Sequence, residues 1–375
     1  MSKNYYSLGL MSGTSMDGVD VSIIKSDGDI EFKGIFNKYF EYNDDFSKKF
    51  LKIRDKINNT KDLNLYSKEL NNIEKEITLF HAKVTNEAIK EVNSNIDIIG
   101  FHGQTIFHSA KEMVSKQLGD GKLLSQETKK KVVYDFRQND LKNGGEGAPL
   151  APIFHKLISE KIKVEPPLCV INLGGIANIT SIESGEISDL GSQDIGPGNC
   201  LIDEWIKKNT NKKYDKDGFI AKSGKKDILI LNQALDNHDN LKKKNILSYD
   251  TKDFDLSFVR GLSLEDGAAT LTEFTGKLLA EATLNYISKL KTKPKKILVC
   301  GGGRKNSTLI NCLKDNMNIG NIVENIDNFG IDGDFIESQA FAYLAIRSFL
   351  NLPISFPKTT GCIHPCTGGK LVNNF

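Results

Sequence analysis

The stretch Tyr5-Tyr-Ser-Leu-Gly-Leu-Met-Ser-Gly-Thr-Ser-Met-Asp-Gly-Val-Asp-Val-Ser-Ile-Ile24 reads as a strand, a loop rich in Gly and hydroxyl residues, and a second strand. An acidic turn, Ser26-Asp27-Gly28-Asp29, leads on to a third strand expected over residues 30–39. The same order returns further along the chain. Leu168–Leu173 is an apolar run, Gly174-Gly175 breaks it, Ile176–Ile182 resumes it, and Glu183-Ser184-Gly185-Glu186 turns into a third strand expected over residues 187–190. A helical segment follows each copy, over residues 44–57 in the first and 201–208 in the second. A repeat of this kind predicts two related α/β halves, each offering a Gly-rich turn.

Length agrees with that division, since 375 residues exceed the ~250–300 at which a single hydrophobic core stops growing. With 39% hydrophobic and 26% charged residues, the composition is that of an ordinary globular protein rather than a disordered chain. A formal net charge of +2, with lysines mixed among acids, gives no electrostatic footprint for nucleic acid or a membrane surface. The expected partner is therefore a small molecule. The N-terminus passes directly into a strand pattern without a secretory signal, and no run approaches the ~18 apolar residues of a membrane span, so a cytoplasmic location is expected. Six cysteines, mostly inside apolar runs, read as buried reduced thiols. Cys362 and Cys366 flank His364, but the sequence offers no second ligand pair for a metal, and the segment reads as a Pro-containing turn.

The first loop has a definite chemistry. Ser12, Thr14 and Ser15 supply hydroxyl donors, Gly13 and Gly18 let main-chain N–H groups approach phosphate oxygens, and Asp17 is a carboxylate suited to holding Mg2+. Two such turns facing each other would clamp a nucleotide. A third cluster, Gly301-Gly302-Gly303, follows the apolar run 295–300 and precedes a helical segment over residues 308–314, a geometry that meets an anion or a nucleotide. Asp194 stands beside the Gly196-Pro197-Gly198 turn, where a carboxylate can act as a general base or, alternatively, cap the next helix.

Taken together, the motifs resemble one family. The run from Met11 to Asp20 looks like the N-terminal signature of the anhydro-N-acetylmuramic acid kinases, a branch of the sugar kinase, Hsp70 and actin superfamily. Further matches follow in order: Ile99-Gly-Phe-His-Gly-Gln-Thr105, Gln117-Leu-Gly-Asp-Gly121, Asp135-Phe-Arg137, residues 144–152, Asn172-Leu-Gly-Gly-Ile-Ala-Asn-Ile179, Asp194-Ile-Gly-Pro-Gly-Asn199, Cys300-Gly-Gly-Gly303 and Glu337-Ser-Gln-Ala-Phe-Ala342.

The resemblance implies two actin-like (ribonuclease H-like) domains with mixed five-stranded sheets flanked by helices, and an ATP cleft between them. Their expected extents are 1–130 with 345–375, and 131–344. It implies ATP and Mg2+ as cofactors, an amino sugar as substrate, and a homodimer. It also implies nucleotide contacts along Gly13, Thr14, Ser15, Met16, Asp17, Gly18, Val19 and Asp20, and at Gly174, Gly175, Asn178, Gly301, Gly302 and Gly303. Asp194 is the expected base acting on water, and Glu337 a second carboxylate near the sugar. His102 and Gln104 are expected to hydrogen-bond the sugar, and Arg137 to pair with its lactyl carboxylate. Two other readings stay open here: a kinase of the same fold acting on an ordinary sugar hydroxyl, and a nucleotide-gated binding protein. Much of the Lys- and Asp-heavy segment 215–255 reads as solvated surface.

Overall fold

The repeat is built as two sheets with one strand order. In the computed structural model, which describes residues 3–13, 16–241, 249 and 253–375, the chain divides into two units, Met1–Lys163 with Phe335–Phe375, and Val164–Asp334. The first unit contains β1 (Tyr5–Met11), β2 (Gly18–Ser26), β3 (Phe32–Glu41), β4 (Ile98–Phe101), the hairpin β5 (Gln104–Ser109) and β6 (Val114–Leu118), then β7 (Lys131–Tyr134). The second contains β8 (Leu168–Leu173), β9 (Ile176–Ile182), β10 (Leu190–Pro197), β11 (Lys296–Cys300) and β12 (Val323–Asn325), and the chain returns to the first for β13 (Lys370–Val372).

The first main sheet runs β13-β7-β4-β1-β2-β3 and the second β10-β9-β8-β11-β12. In both, the first, fourth and fifth strands of the repeat are parallel and the second is antiparallel to its neighbours. That shared order is the ribonuclease H-like arrangement. The first sheet has six strands rather than the expected five, because β13 pairs antiparallel with β7.

Local sequence explains these elements. All six residues of β8 are buried, as a central parallel strand covered on both faces requires. β3, at an edge, alternates partly buried and exposed residues over most of its length. The helix Asp44–Arg54 is capped by Asn43, whose side chain accepts from the Phe46 N–H, and carries acids in its first turn and bases in its last. One core gathers Leu8, Val21, Ile23 and Ile99 with Leu70, Ile73 and Ile77 of the helix Ser67–Val92; the other gathers Ile171 and Ile179 with Leu271 and Leu278 of the helix Leu264–Ser288.

Two expected boundaries are corrected. The first unit runs on past residue 130, because β7 pairs with β4 and Phe154, in the helix Pro152–Lys161, packs edge-on to Phe32 at 5.3 Å. It resumes at Phe335 rather than 345, because the helix Ile336–Phe349 lies directly on β1 and β4. Gly9 and Gly100 are register partners on those strands, and a Cβ on either would stand 1.9 Å from the Ser338 carbonyl oxygen or 2.1 Å from that of Phe341. The third strand of the second copy also lies later than expected: residues 187–189 form a 3₁₀ turn and β10 continues to Pro197. At the start of the segment 215–255 the Asp215 carboxylate is buried and accepts from the Ile220 and Ala221 N–H groups, each at 2.9 Å.

Candidate active site

The first loop is held from both sides. Ser12 Oγ donates to the Gly18 carbonyl at 2.9 Å and accepts from the Tyr42 hydroxyl at 3.3 Å. The Met16 N–H reaches the Gly13 carbonyl at 3.3 Å, with φ of 54° at Met16 and its side chain buried. Gln104 Nε2 donates to that same Gly13 carbonyl at 3.0 Å. Thr14 and Ser15 lie outside the described residues. Gln104, expected at the sugar, thus anchors the loop with its nitrogen, while its buried Oε1 has no partner among the described residues. Val19 and Asp20 sit in β2; Val19 is fully buried and serves the core. Asp17, Asp20 and Glu41 all bear on Tyr39, whose hydroxyl is pushed up by burial first and by these carboxylates next.

Arg137 is fixed by two acceptors. Its NH1 donates to the Gly147 carbonyl at 2.8 Å, and its Nε and NH2 reach His102 Nε2 at 3.2 and 3.0 Å. His102 Nδ1 lies 2.8 Å from the Gly103 carbonyl. A carbonyl only accepts and a guanidinium only donates, so Nδ1 carries the proton and Nε2 offers its lone pair. Burial, with the Arg137 charge adding to it, pushes the imidazole well below its ordinary pKa and keeps it neutral. Both ring nitrogens are engaged within the protein, so the expectation that His102 hydrogen-bonds the sugar gives way to a role in orienting Arg137. The Gly147 carbonyl is steadied in turn by its own N–H, which donates to Asp140 Oδ2 at 2.7 Å. Glu337 is half-buried in the first turn of the helix Ile336–Phe349, one residue before the Ser338 that presses on Gly9.

In the second unit the polar residues share one rung. Asp194 is the register partner of Asn178, Asn178 of Asn172, and Asn172 of Cys300. Cys300 Sγ lies 3.7 Å from Asn172 Oδ1, while Asn178 Oδ1 is buried with no partner among the described residues. A bulge between Asp194 and Gly196, with φ of 130° at Gly196, re-aims the strand at the carboxylate. Asp194 Oδ2 accepts from the Tyr249 N–H at 3.0 Å; Ser248 and Asp250 lie outside the described residues. Asp194 is not a helix cap: the cap position of the helix Cys200–Asn209 is Asn199. The Gly174 and Gly175 carbonyls accept from the Asn199 and Gly198 N–H groups, both at 2.9 Å, closing the turn onto that helix.

Gly301 has φ of 79°, and a Cβ there would stand 2.4 Å from Asn172 Oδ1. Gly303 meets Leu173, whereas Gly302 has open space. Behind this loop the buried Arg304 pairs with Asp327 at 3.0 Å, Asp334 at 2.5 Å and Asp332 at 3.4 Å, and donates to the Gly301 carbonyl at 3.1 Å. The helix Ser307–Asp315 that follows is capped by its own Asn306, so its N-terminus is already partly satisfied by the protein rather than left wholly for an anion. Asn172, Tyr42 and Arg304 escape a sequence reading; only the density of Asp at 327–334 hints at a buried cation partner.

Comparison with known proteins gives a consistent result. The family model described as anhydro-N-acetylmuramic acid kinase matches residues 5–374. A protein of that name from Pelagibacter ubique is 54% identical over 375 residues, covering 100% of both chains. One from Zymomonas mobilis is 42% identical over 97% of this chain and 98% of its own, and one from Brucella canis 38% identical over 96% and 97%.

Proposed function

The chain belongs to the anhydro-N-acetylmuramic acid kinase family, and from that premise we propose how its residues carry out the reaction. It is an ATP-dependent kinase that opens the 1,6-anhydro ring of 1,6-anhydro-N-acetylmuramic acid with water and phosphorylates O6, giving N-acetylmuramic acid 6-phosphate and ADP in cell-wall recycling.

Two bonds change together. Asp194 takes a proton from a water whose oxygen bonds to C1; the C1–O6 bond breaks, and O6 attacks the γ-phosphorus as the bond to ADP breaks. Charge growing on O6 passes straight into phosphoryl transfer, so the leaving oxygen needs no strong acid. The observation that carries this role is the rung: a strand-borne carboxylate at a bulge, next in register to an Asn178 oxygen with no partner among the described residues.

Other residues bind and orient. The first loop, with Ser12 and Gln104 fixing its ends, offers N–H and hydroxyl groups to the ATP phosphates, and Gly301–Gly303 and the turn at Gly174 and Gly175 approach the nucleotide. Mg2+ bound with ATP neutralises phosphate charge, and Asp17 would hold it through water. Arg137, set by the neutral His102, pairs with the lactyl carboxylate, and Glu337 is directed at the sugar. A homodimer completes the reading, to be measured by light scattering.

The test compares substrates at matched Mg-ATP. The anhydro sugar should yield one ADP per 6-phosphate, and N-acetylmuramic acid with its ring already open should be phosphorylated far more slowly. Equal rates would replace this reading with an ordinary hydroxyl kinase.

A further inference from the structure

Three side chains of the first unit converge in a way the proposed reaction does not use. Asp140, in the helix Gln138–Lys142, and Cys362 and Cys366, in the C-terminal segment, bring a carboxylate oxygen and two sulfurs within 4.8 Å of one another. All three are buried, at 1%, 1% and 6% exposure. Among the described residues this is the one group of three His, Cys, Asp or Glu side chains so assembled. We infer that Asp140, Cys362 and Cys366 form a binding site for one thiophilic divalent cation, zinc by its donor set.

The carboxylate supplies the first argument. Asp140 Oδ1 accepts from the Ser355 hydroxyl at 2.5 Å and the Thr360 hydroxyl at 2.6 Å, and Oδ2 accepts from the Gly147 N–H at 2.7 Å. Three donors suit an ionised carboxylate and fix its orientation, as outer-shell partners do for a metal ligand. Oδ1 has both lone pairs engaged, and Oδ2 keeps one. Among the described residues the donors that reach this buried carboxylate, the Ser355 and Thr360 hydroxyls and the Gly147 N–H, are all uncharged. Buried charges are ordinarily paired or coordinate metals.

The sulfurs supply the second. Cys362-Ile363-His364-Pro365-Cys366 has the short spacing of a zinc ligand pair. His364, the nearer candidate by sequence, is exposed, and its place as third ligand falls to Asp140. The Cys366 S–H lies 2.9 Å from the His364 carbonyl, and burial with the neighbouring Cys362 pushes that thiol up to about 12. Binding a cation releases the two thiol protons to solvent, leaving two thiolates and one carboxylate around the ion and a fourth position for a water. Thiolate donors select a soft or borderline ion over Mg2+.

The location gives the ion a structural task. The Ile363 N–H donates to the Asn143 carbonyl at 3.0 Å and the Glu146 N–H to the Thr360 carbonyl at 2.8 Å. A cation here staples the C-terminal segment to the loop whose Gly147 carbonyl holds Arg137.

Metal content tests this without reference to catalysis. Full-length protein, expressed with zinc and dialysed against a weak chelator, should carry about one zinc per chain by mass spectrometry of the elements. Cobalt(II) in its place should give the strong thiolate charge-transfer absorption of a tetrahedral site. Cys362→Ser with Cys366→Ser should lose both signals; should that variant misfold, the wild-type content and cobalt spectrum decide alone. Background metal with two free thiols would overturn the inference. So would a mass lower by two hydrogens, which marks a disulfide between Cys362 and Cys366 instead.

Discussion

The loop after β1 and the turn after β8 occupy the same place in the same strand order, yet they are made of different material. The first joins β1 to β2 over six residues, 12–17, and its described part is tied by Tyr42 and Gln104. The second is the bare pair Gly174-Gly175, its carbonyls consumed by the start of the next helix. The third strands differ in the opposite sense: the irregularity between β2 and β3 falls at Ile23 and Ile24, among apolar residues, whereas β10 bulges at Asp194. On the proposed reading the repeated scaffold divides its labour, one copy holding phosphates and the other presenting a base.

The largest expected effect breaks that division at the base. Asp194→Asn should lower kcat by about 10³-fold while leaving nucleotide affinity within a few-fold, measured by turnover and by displacement of a fluorescent ATP analogue. Loss of fold in the circular dichroism spectrum would instead make Asp194 structural.

Acid should separate the two units. His81 and His155 are pushed down to about 4 by burial, and His102 well below its ordinary value; all three lie in the first unit. The unfolded chain takes up these protons near pH ~6.5 and the native chain does not. Their contribution is therefore complete above pH ~6.5 and is lost as pH falls toward 4. Hydrogen exchange at pH values of about 7 and 5 should show the first unit opening sooner in acid. Earlier opening of the second unit would contradict this.

Next comes the sugar side. Arg137→Lys should raise KM for the anhydro sugar by about 10–100-fold with KM for ATP unchanged, because an ammonium cannot keep the contacts to His102, Gly147 and a carboxylate at once. An unaltered KM would remove Arg137 from the substrate.

Adjacent glycines sharpen the comparison within the second unit. Gly301→Ala meets both a positive φ and Asn172 and should cost about 2 kcal/mol in urea unfolding, whereas Gly302→Ala, with open space, should be nearly neutral to stability. The smallest effect is at the first loop: Ser12→Ala leaves the Gly18 carbonyl without that donor and should cost about 1 kcal/mol.

Much of the fold was legible because its signals are local. Apolar runs such as Leu168–Leu173, broken by Gly pairs and acidic turns, announce strands and hairpins without knowledge of distant residues. The rung was not legible as a rung. Asp194 and Asn178 stand out in sequence, but their adjacency depends on pairing register, and Asn172 joins them only through that register. His102 illustrates another limit: a motif histidine suggests a ligand contact, and only the placement of Arg137 and Gly103 reveals that both nitrogens are already engaged. The extent of the first unit is hidden for a similar reason, since the close approach of the helix Ile336–Phe349 to Gly9 and Gly100 joins residues from opposite ends of the chain. Asp140 reaches Cys362 and Cys366 in the same long-range way.

The central claim is that one base couples water attack at C1 to phosphorylation at O6. Turnover of the anhydro sugar with Mg-ATP in ¹⁸O-labelled water tests it most directly. The account predicts one labelled oxygen at C1 of the 6-phosphate, none in its phosphoryl group, and no label or turnover with Asp194→Asn. A phosphorylated product with unlabelled C1 would contradict it.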